Sequence, residues 1–365
     1  MSVSAARMPV TTGIQTSWHS SVTTLPTERG AATPFHTTEW AASWQGVRTE
    51  KVIRHAHLVM ERGHRRFRLP FHLIEHSPLW TALEKDAGLS QPVWQHPAVY
   101  GPSIYGEYGG IPGAPAVVLG EAIEQGLQLV RKWSASALVI PNLPPAELDR
   151  WRQVRAPDAQ VCLRWAHRAP VGESVDAFIN TMPTDKTGQE FRRHWRQGKE
   201  DGLTLKVVRG TAMLDHLPHF VHQARATSEK YGPALYGMDM VRPLTRVPGA
   251  ALVLADHPEG PAGGVLCFRH GDVLYLWATA MDTDRRDVLP HTHGWLMYES
   301  VQYAIATGAK AIDAGHGDYA YKARIGLKPV ALASVVYLPQ PDRRILSRLR
   351  ALDSGLRRHV LRAWS

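Results

Sequence analysis

The feature that most constrains this chain is an order of elements that occurs twice. Two apolar-rich runs between Ala56 and Ile74 flank Arg62-Gly63-His64, and two more between Gly264 and Thr279 flank His270-Gly271-Asp272. Both are the signal of a hairpin with a glycine at its turn. Each hairpin is followed by a helical pattern and then a short apolar strand: 119–132 feeds Ala137-Leu138-Val139-Ile140, and 295–306 feeds Ala309-Lys310-Ala311-Ile312-Asp313. Aligning Ser134–Ile140 with Gly308–Ala314 gives an offset of 174 residues, close to half of the 365. The hairpins are offset by 208, which leaves about 34 extra residues in the first half. A diverged duplication accounts for this order, and the chain reads as two α+β units.

The extra length includes Pro92 to Pro115, with Tyr100-Gly101-Pro102 and Tyr105-Gly106-Glu107-Tyr108-Gly109-Gly110. Such a stretch is either an ordered loop lining a cleft or a surface connection packed by its own tyrosines. The halves meet near 170–187, and a basic helix over 189–199 opens the second. The chain therefore divides into a Ser, Thr and Ala-rich, partly disordered lead-in over 1–33, a first unit over 34–185, a second over 186–340 and a tail over 341–365. The tail is an amphipathic helix. Ile345, Leu346, Leu349, Leu352, Leu356 and Val360 share a face, while Arg343, Arg344, Arg348, Arg350, Arg357, Arg358 and Arg362 lie mostly elsewhere.

Composition removes several classes of function. Cys162 and Cys267 are the only cysteines and form no CxxC pair, which excludes zinc ribbons, Fe–S clusters and a disulfide framework. No apolar run reaches the roughly 18 to 20 residues of a membrane span, and the first 33 residues lack the basic start and apolar core of a secretory signal. A cytoplasmic monomer is expected. His216, His219 and His222 recur every three residues beside Asp215, but Pro218 breaks the register and no further ligand completes a set, so no metal is expected. The formal charge is +9, and 32 of the 42 basic residues are Arg, the side chain suited to gripping phosphate. No GxSxG, Walker A or Rossmann fingerprint is present.

The duplicated hairpin, helix and strand resemble tandem acetyltransferase-like (GNAT) folds, each domain a mixed twisted sheet with flanking helices. Pro34-Phe35-His36-Thr37-Thr38-Glu39-Trp40, Tyr108-Gly109-Gly110, Asp313-Ala314-Gly315 and Tyr321-Lys322-Ala323-Arg324-Ile325-Gly326 are similar to motifs of the Fem family. Its best-known members are aminoacyl-tRNA-dependent transferases that build peptidoglycan cross-bridges. An acyl-CoA-dependent GNAT enzyme carries a glycine-rich turn at the start of its central helix, where main-chain N–H groups hold the pyrophosphate. Here that stretch is Leu289-Pro290-His291-Thr292-His293-Gly294-Trp295, with one glycine, so CoA binding is not expected.

The resemblance implies that Lys322, in a signature where Tyr321 and Ile325 replace aromatic positions, faces the reacting ester. A fixed cation there would stabilise the oxyanion formed on amine attack. His316 and Asp318 follow the Asp313 strand and are candidates to relay a proton or hold the substrate ammonium. His291, Thr292 and His293 precede a helix whose first N–H groups are free, and are candidates for substrate contact or for capping. Tyr105, Tyr108 and Trp277 are taken as further substrate contacts. Arg192 and Arg196, at i and i+4, and Lys199, three residues on, form a stripe suited to phosphate; Arg324 joins this tRNA-binding set, and the Arg-rich tail is a second candidate for RNA contact.

The expectation is an aminoacyltransferase that moves an aminoacyl group from charged tRNA to an acceptor amine and forms an amide, without cofactor or metal. A small natural-product amine, as in antibiotic biosynthesis, is favoured as acceptor over a peptidoglycan precursor. An acyl-CoA-dependent N-acyltransferase and a non-catalytic RNA-binding protein are the alternatives.

Overall fold

A computed structural model describes residues 13–24, 30–229, 234–285 and 289–364. The first half runs β1 (Gln15–His19), α1 (Thr38–Ser43), β2 (Val52–Arg62), β3 (Arg65–Ile74), α2 (Pro78–Asp86), β4 (Ala98–Tyr100), α3 (Ala116–Lys132), β5 (Leu138–Leu143), α4 (Pro145–Val154), β6 (Ala159–Pro170) and α5 (Val175–Ile179). The second runs α6 (Asp185–Glu200), β7 (Thr204–Arg209), α7 (Leu217–Glu229), α8 (Met238–Leu244), β8 (Ala250–Asp256), β9 (Gly263–His270), β10 (Val273–Met281), α9 (Thr292–Ala306), β11 (Ala311–Asp313), α10 (Tyr319–Arg324) and β12 (Lys328–Tyr337), followed by α11 (Arg343–Trp364).

All twelve strands form one sheet, in the order β1-β2-β3-β4-β5-β12-β6-β11-β10-β9-β8-β7. Replacing each strand by its counterpart six places along the chain reverses this order and leaves it unchanged, so the duplication extends to the whole topology. The last strand of each half is exchanged. β12 lies between β5 and β6, antiparallel to both, and β6 also pairs with β11. The repeat reaches the backbone angles: Ser134, after α3, and Gly308, after α9, both have positive φ (53° and 72°) at the aligned positions.

Helices cover both faces. α3 buries Val118, Leu119, Ala122, Ile123, Leu127 and Val130 at helical spacing against the first half, with α4 beside it. On the second half α9 is buried almost all round, because α6 lies across it: Trp195 stacks on Tyr298 at 4.7 Å. The opposite face carries one core shared by both halves. α11 closes this side, burying Leu349, Leu352, Leu356 and Val360 while packing on β6, α2 and α10.

Two sequence expectations are corrected and one open reading is decided. The hairpin β2–β3 corresponds to β8–β9, not to β9–β10, because the parallel pair β4 and β5 matches the parallel pair β10 and β11. The extra residues of the first half therefore sit mainly in the β3–β4 connection, which holds α2, where β9 and β10 are joined by two residues. Within the stretch read as a lead-in, Gln15–His19 is a strand paired with β2; residues 1–12 and 25–29 lie outside the described residues. Finally, the Pro92 to Pro115 segment is no surface connection: it contains β4, and Tyr100, Ile104, Tyr105, Glu107 and Ile111 are buried.

Candidate active site

The loop after β4 builds the site. Asn142, left-handed (φ 57°) at the end of β5, donates through Nδ2 to the carbonyls of Ile104 (2.8 Å) and Gly106 (2.5 Å), and its own carbonyl accepts from the Gly109 amide at 3.0 Å. Gly109 must be glycine, since a Cβ would stand 1.9 Å from the Pro141 oxygen. So held, the loop reaches into the second half. Trp277 Nε1 donates to the Tyr105 carbonyl at 2.9 Å, and Tyr108 Oη donates to Asp313 Oδ2 at 2.5 Å. The Pro34 to Trp40 segment packs underneath, Phe35 edge-on to Tyr275 at 5.5 Å and Trp40 edge-on to Trp277 at 5.6 Å.

From the second half comes the turn after β11. Gly315, with φ 59°, donates its amide to Asp313 Oδ1 at 3.0 Å, and a Cβ on it would stand 2.1 Å from Glu107 Oε1. β6 runs alongside: His167 exchanges main-chain hydrogen bonds with Ala314 and Gly315, and its ring stacks on Tyr319 at 5.4 Å. Three residues earlier, Arg164 is 2% exposed. Its Nη1 meets His316 Nε2, while Nε and Nη2 have no hydrogen-bond partner in the protein.

The electrostatics follow from burial. Glu107 is 1% exposed, and neither carboxylate oxygen has a partner. Burial, then the neighbouring Asp313 charge, push its pKa well above the usual carboxylate range, against the pull of Lys322 and Arg164. Burial likewise raises Asp313, opposed by the hydrogen bonds from Tyr108 and Gly315. His316 is driven well below the ordinary histidine value by burial and by the Arg164 charge, so it is neutral at pH 7. A buried carboxyl that holds its proton and a buried guanidinium with a free two-donor edge thus occupy one site, and neither is hydrogen-bonded to the other. That combination can give a proton to a leaving oxygen and hold charge on a carbonyl oxygen.

Of the residues named from sequence, Tyr105, Tyr108, Trp277, His316 and Lys322 come together here. The role expected of Lys322 is corrected. Its Nζ donates to the carbonyls of Ala314 (2.7 Å), Gly315 (3.2 Å) and His316 (2.8 Å), which uses all three ammonium protons. It fixes the turn that carries Asp313, Gly315 and His316 and has no donor left for an oxyanion; burial lowers its pKa to about 8. Tyr321 packs against His293 at 4.7 Å between ring centroids, and Asp318 is an exposed residue with φ 44° before α10. At the start of α9 neither His291 nor Thr292 caps the helix through its side chain. His291 stacks on His194 at 5.3 Å, and Thr292 Oγ1 donates back to Leu289.

The stripe expected on α6 is partly engaged within the protein. Arg192 is bound to Asp176 at 2.8 Å and Lys199 lies 4.0 Å above the Trp195 ring, leaving Arg196 exposed between them. Arg324 lies over the Tyr321 ring at 5.5 Å. Sequence reasoning missed Arg164 and undervalued Glu107. A lone arginine inside the apolar run Val161 to Ala166 was the available signal.

A cleft of about 610 Å³ opens on the first half, lined by His36, Arg65, Arg68, Pro102, Gly110 and Ile111. Arg65 donates to the Gly113 carbonyl (3.0 Å) and Arg68 to Thr38 Oγ1 (2.6 Å). Gly110 links this cleft to the loop bearing Glu107 and Tyr108. Among the described residues no group of three or more His, Cys, Asp or Glu could hold a metal ion, and no helix is long and apolar enough to cross a membrane.

Fold and site together define a tandem GNAT architecture with its polar centre at the joint of the two halves. Residues 185–323 match the family described as Acetyltransferase (GNAT) domain. Among solved structures the chain is similar to FemX, with 13% identity, 87% of this chain and 94% of that one covered and a TM-score of 0.55. It is also similar to the C-terminal domain of a putative lysylphosphatidylglycerol synthetase from Agrobacterium fabrum (12% identity, 70% and 81% covered, TM-score 0.51). L-PGS from Bacillus licheniformis follows (9%, 78% and 86%, 0.51). No curated protein matches the sequence. The chain has a Fem-like tandem GNAT fold.

Proposed function

We propose that this protein is an aminoacyltransferase that moves an aminoacyl group from charged tRNA to an acceptor amine. The observation that carries the reading is the pair formed by Glu107 and Arg164, both buried at the joint with hydrogen-bonding capacity unused. Attack of the neutral amine on the ester carbonyl forms the C–N bond, with the oxyanion on the free Nε and Nη2 edge of Arg164. The Glu107 carboxyl, held protonated by burial, gives its proton to the ribose oxygen as the bond from carbonyl carbon to that oxygen breaks, and the carboxylate so formed takes up the proton released by the nitrogen. One preorganised donor to an oxyanion is worth about 100- to 1000-fold, and the remaining rate comes from positioning. Lys322 acts through the turn it holds. The 610 Å³ basic cleft suits an acceptor of small-molecule size that carries an anionic group, with its amine directed past Gly110. A small natural-product amine fits this better than a polymer precursor, and a cytoplasmic monomer using no cofactor is the simplest form of such an enzyme.

The test uses the purified chain, a tRNA pool charged with radiolabelled amino acids and a mixture of small amines. Amide should form, RNase should abolish it, and Glu107→Gln should lower kcat about 100-fold or more with little change in fold. The match of residues 185–323 to an acetyltransferase family favours one second reading, an acyl-CoA-dependent N-acyltransferase. Full turnover with acyl-CoA in RNase-treated extract would establish that reading and overturn ours.

A further inference from the structure

We propose that the outward side of α11 is the surface on which the phosphate backbone of the tRNA docks; this rests on the function proposed above and gives it a location. α11 is 22 residues long, about 33 Å at 1.5 Å per residue. Its apolar side is spent: Leu349, Leu352, Leu356 and Val360 are buried, Asp353 Oδ1 accepts from the Cys162 amide of β6 at 2.7 Å, and Arg348 donates to the Pro92 carbonyl at 2.8 Å. The outward side carries Arg343, Arg344, Arg350 and Arg358, exposed and in no ion pair, with Arg357 tied to Asp353 at 2.9 Å. Arg343, Arg350 and Arg358 stand seven and eight residues apart, about two turns each, so they fall within an arc of about 80° around the helix and about 10 to 12 Å apart along the axis. Ser347, Ala351 and Ser354 lie between them, exposed and small enough for a bulky partner to approach the helix closely.

The occupant follows from which half of the amphipathic helix is free. A helix that lies on a bilayer inserts its apolar face, and here that face is inside the protein, with Leu361 the one leucine of α11 that is exposed. A polyanionic backbone needs only the cations, and arginine offers paired donors to phosphate oxygens. The helix also lies close to the reaction site, because α11 packs on β6, which carries Arg164, and on α10, which carries Lys322.

Binding of bulk tRNA to the full-length protein should be measured between about 50 and 200 mM salt for the wild type and two triple variants. One is Arg343→Gln, Arg350→Gln and Arg358→Gln. The other, Arg62→Gln, Arg242→Gln and Arg246→Gln, removes the same charge from exposed sites elsewhere. Each lost phosphate contact lowers the slope of log affinity against log salt by about 0.7 to 0.9. The α11 variant should therefore lose about 2 to 3 from the slope and at least about tenfold in affinity at the low-salt end, while the control keeps its slope. Wild-type binding with an unaffected α11 variant, or an equal loss in both variants, overturns the docking surface and leaves the proposed function standing. A wild type that binds no tRNA overturns the proposed function itself. Tight binding to phosphatidylglycerol vesicles, lost in the α11 variant while tRNA binding persists, would assign the face to a membrane and overturn the proposal.

Discussion

Lys322 shows how a matching motif can carry a different duty. Its three carbonyl bonds and its position beside Glu107 and Asp313 make it a support of the turn. Lys322→Met should therefore cost about 3 kcal/mol or more in urea denaturation, since it strips three acceptors and removes a buried cation beside two buried acids. A cation acting only on the oxyanion would lower kcat and leave stability unchanged, and that result would restore the role implied by the motif. Glu50 gives a second residue-level expectation. Its carboxylate is buried, accepts from Ser77 (3.1 Å) and Ser103 (3.3 Å), and is pushed by burial from 4.5 up to about 8. The folded chain thus holds a proton that the unfolded chain has released between those values. The stability linked to Glu50 is complete below pH 4.5 and is lost as pH rises through 8. Glu50→Gln should remove that dependence, so its stability relative to wild type should improve by about 3 kcal/mol from pH 5 to pH 8; a constant difference would refute the assignment. The loop residues Tyr105 and Tyr108 were legible because Gly and Tyr crowd together there. Arg164 was not, because which face of an apolar strand meets a distant loop is set by the other half of the chain.

At the scale of elements, the packing of α6 on α9 makes a prediction whose sign is the test. Gly198 lies inside α6, where helix propensity alone says that alanine should stabilise by about 1 kcal/mol. In the structure a Cβ would stand 2.6 Å from Trp295 Cδ1 and 2.9 Å from Cγ, a buried indole with no room to turn. Gly198→Ala should therefore destabilise by about 1 to 3 kcal/mol in chemical denaturation, and a gain in stability would show that the helices sit farther apart. Gly294 makes the same contact from the other side, where a Cβ would meet His194 Nδ1 at 2.6 Å. The one glycine at the start of α9 thus serves helix packing. Helices α3 and α9 and their strands were legible at an offset of 174 because 3.6-residue periodicity is local. The hairpins were mispaired because β2–β3 and β9–β10 both turn at a lone glycine, Gly63 and Gly271, while the true partner of β2–β3 turns through the longer 257–262 connection.

For the molecule as a whole, the exchanged strands decide what a half of this duplication can do alone. β12 is buried from Leu332 to Tyr337 between β5 and β6, and β11 finds its second neighbour in β6 of the other half. No run of residues announces this exchange, since an apolar strand reads the same whichever sheet it enters. Cut at the start of α6, a fragment of residues 1–184 keeps β5 and β6 but lacks the strand that joins them. Its complement, 185–365, keeps β12 with both neighbours missing and β11 with one edge open. Each then exposes unpaired backbone and an apolar row in the middle of its sheet, the most costly place for either, and α11 loses β6, the surface on which its leucines pack. Expressed separately, neither fragment should give a cooperative thermal transition followed by circular dichroism. Refolded together they should form a one-to-one complex that melts cooperatively. A cooperative transition for 1–184 alone would mean that its six strands close without β12, and that the single sheet is an association of two independent units.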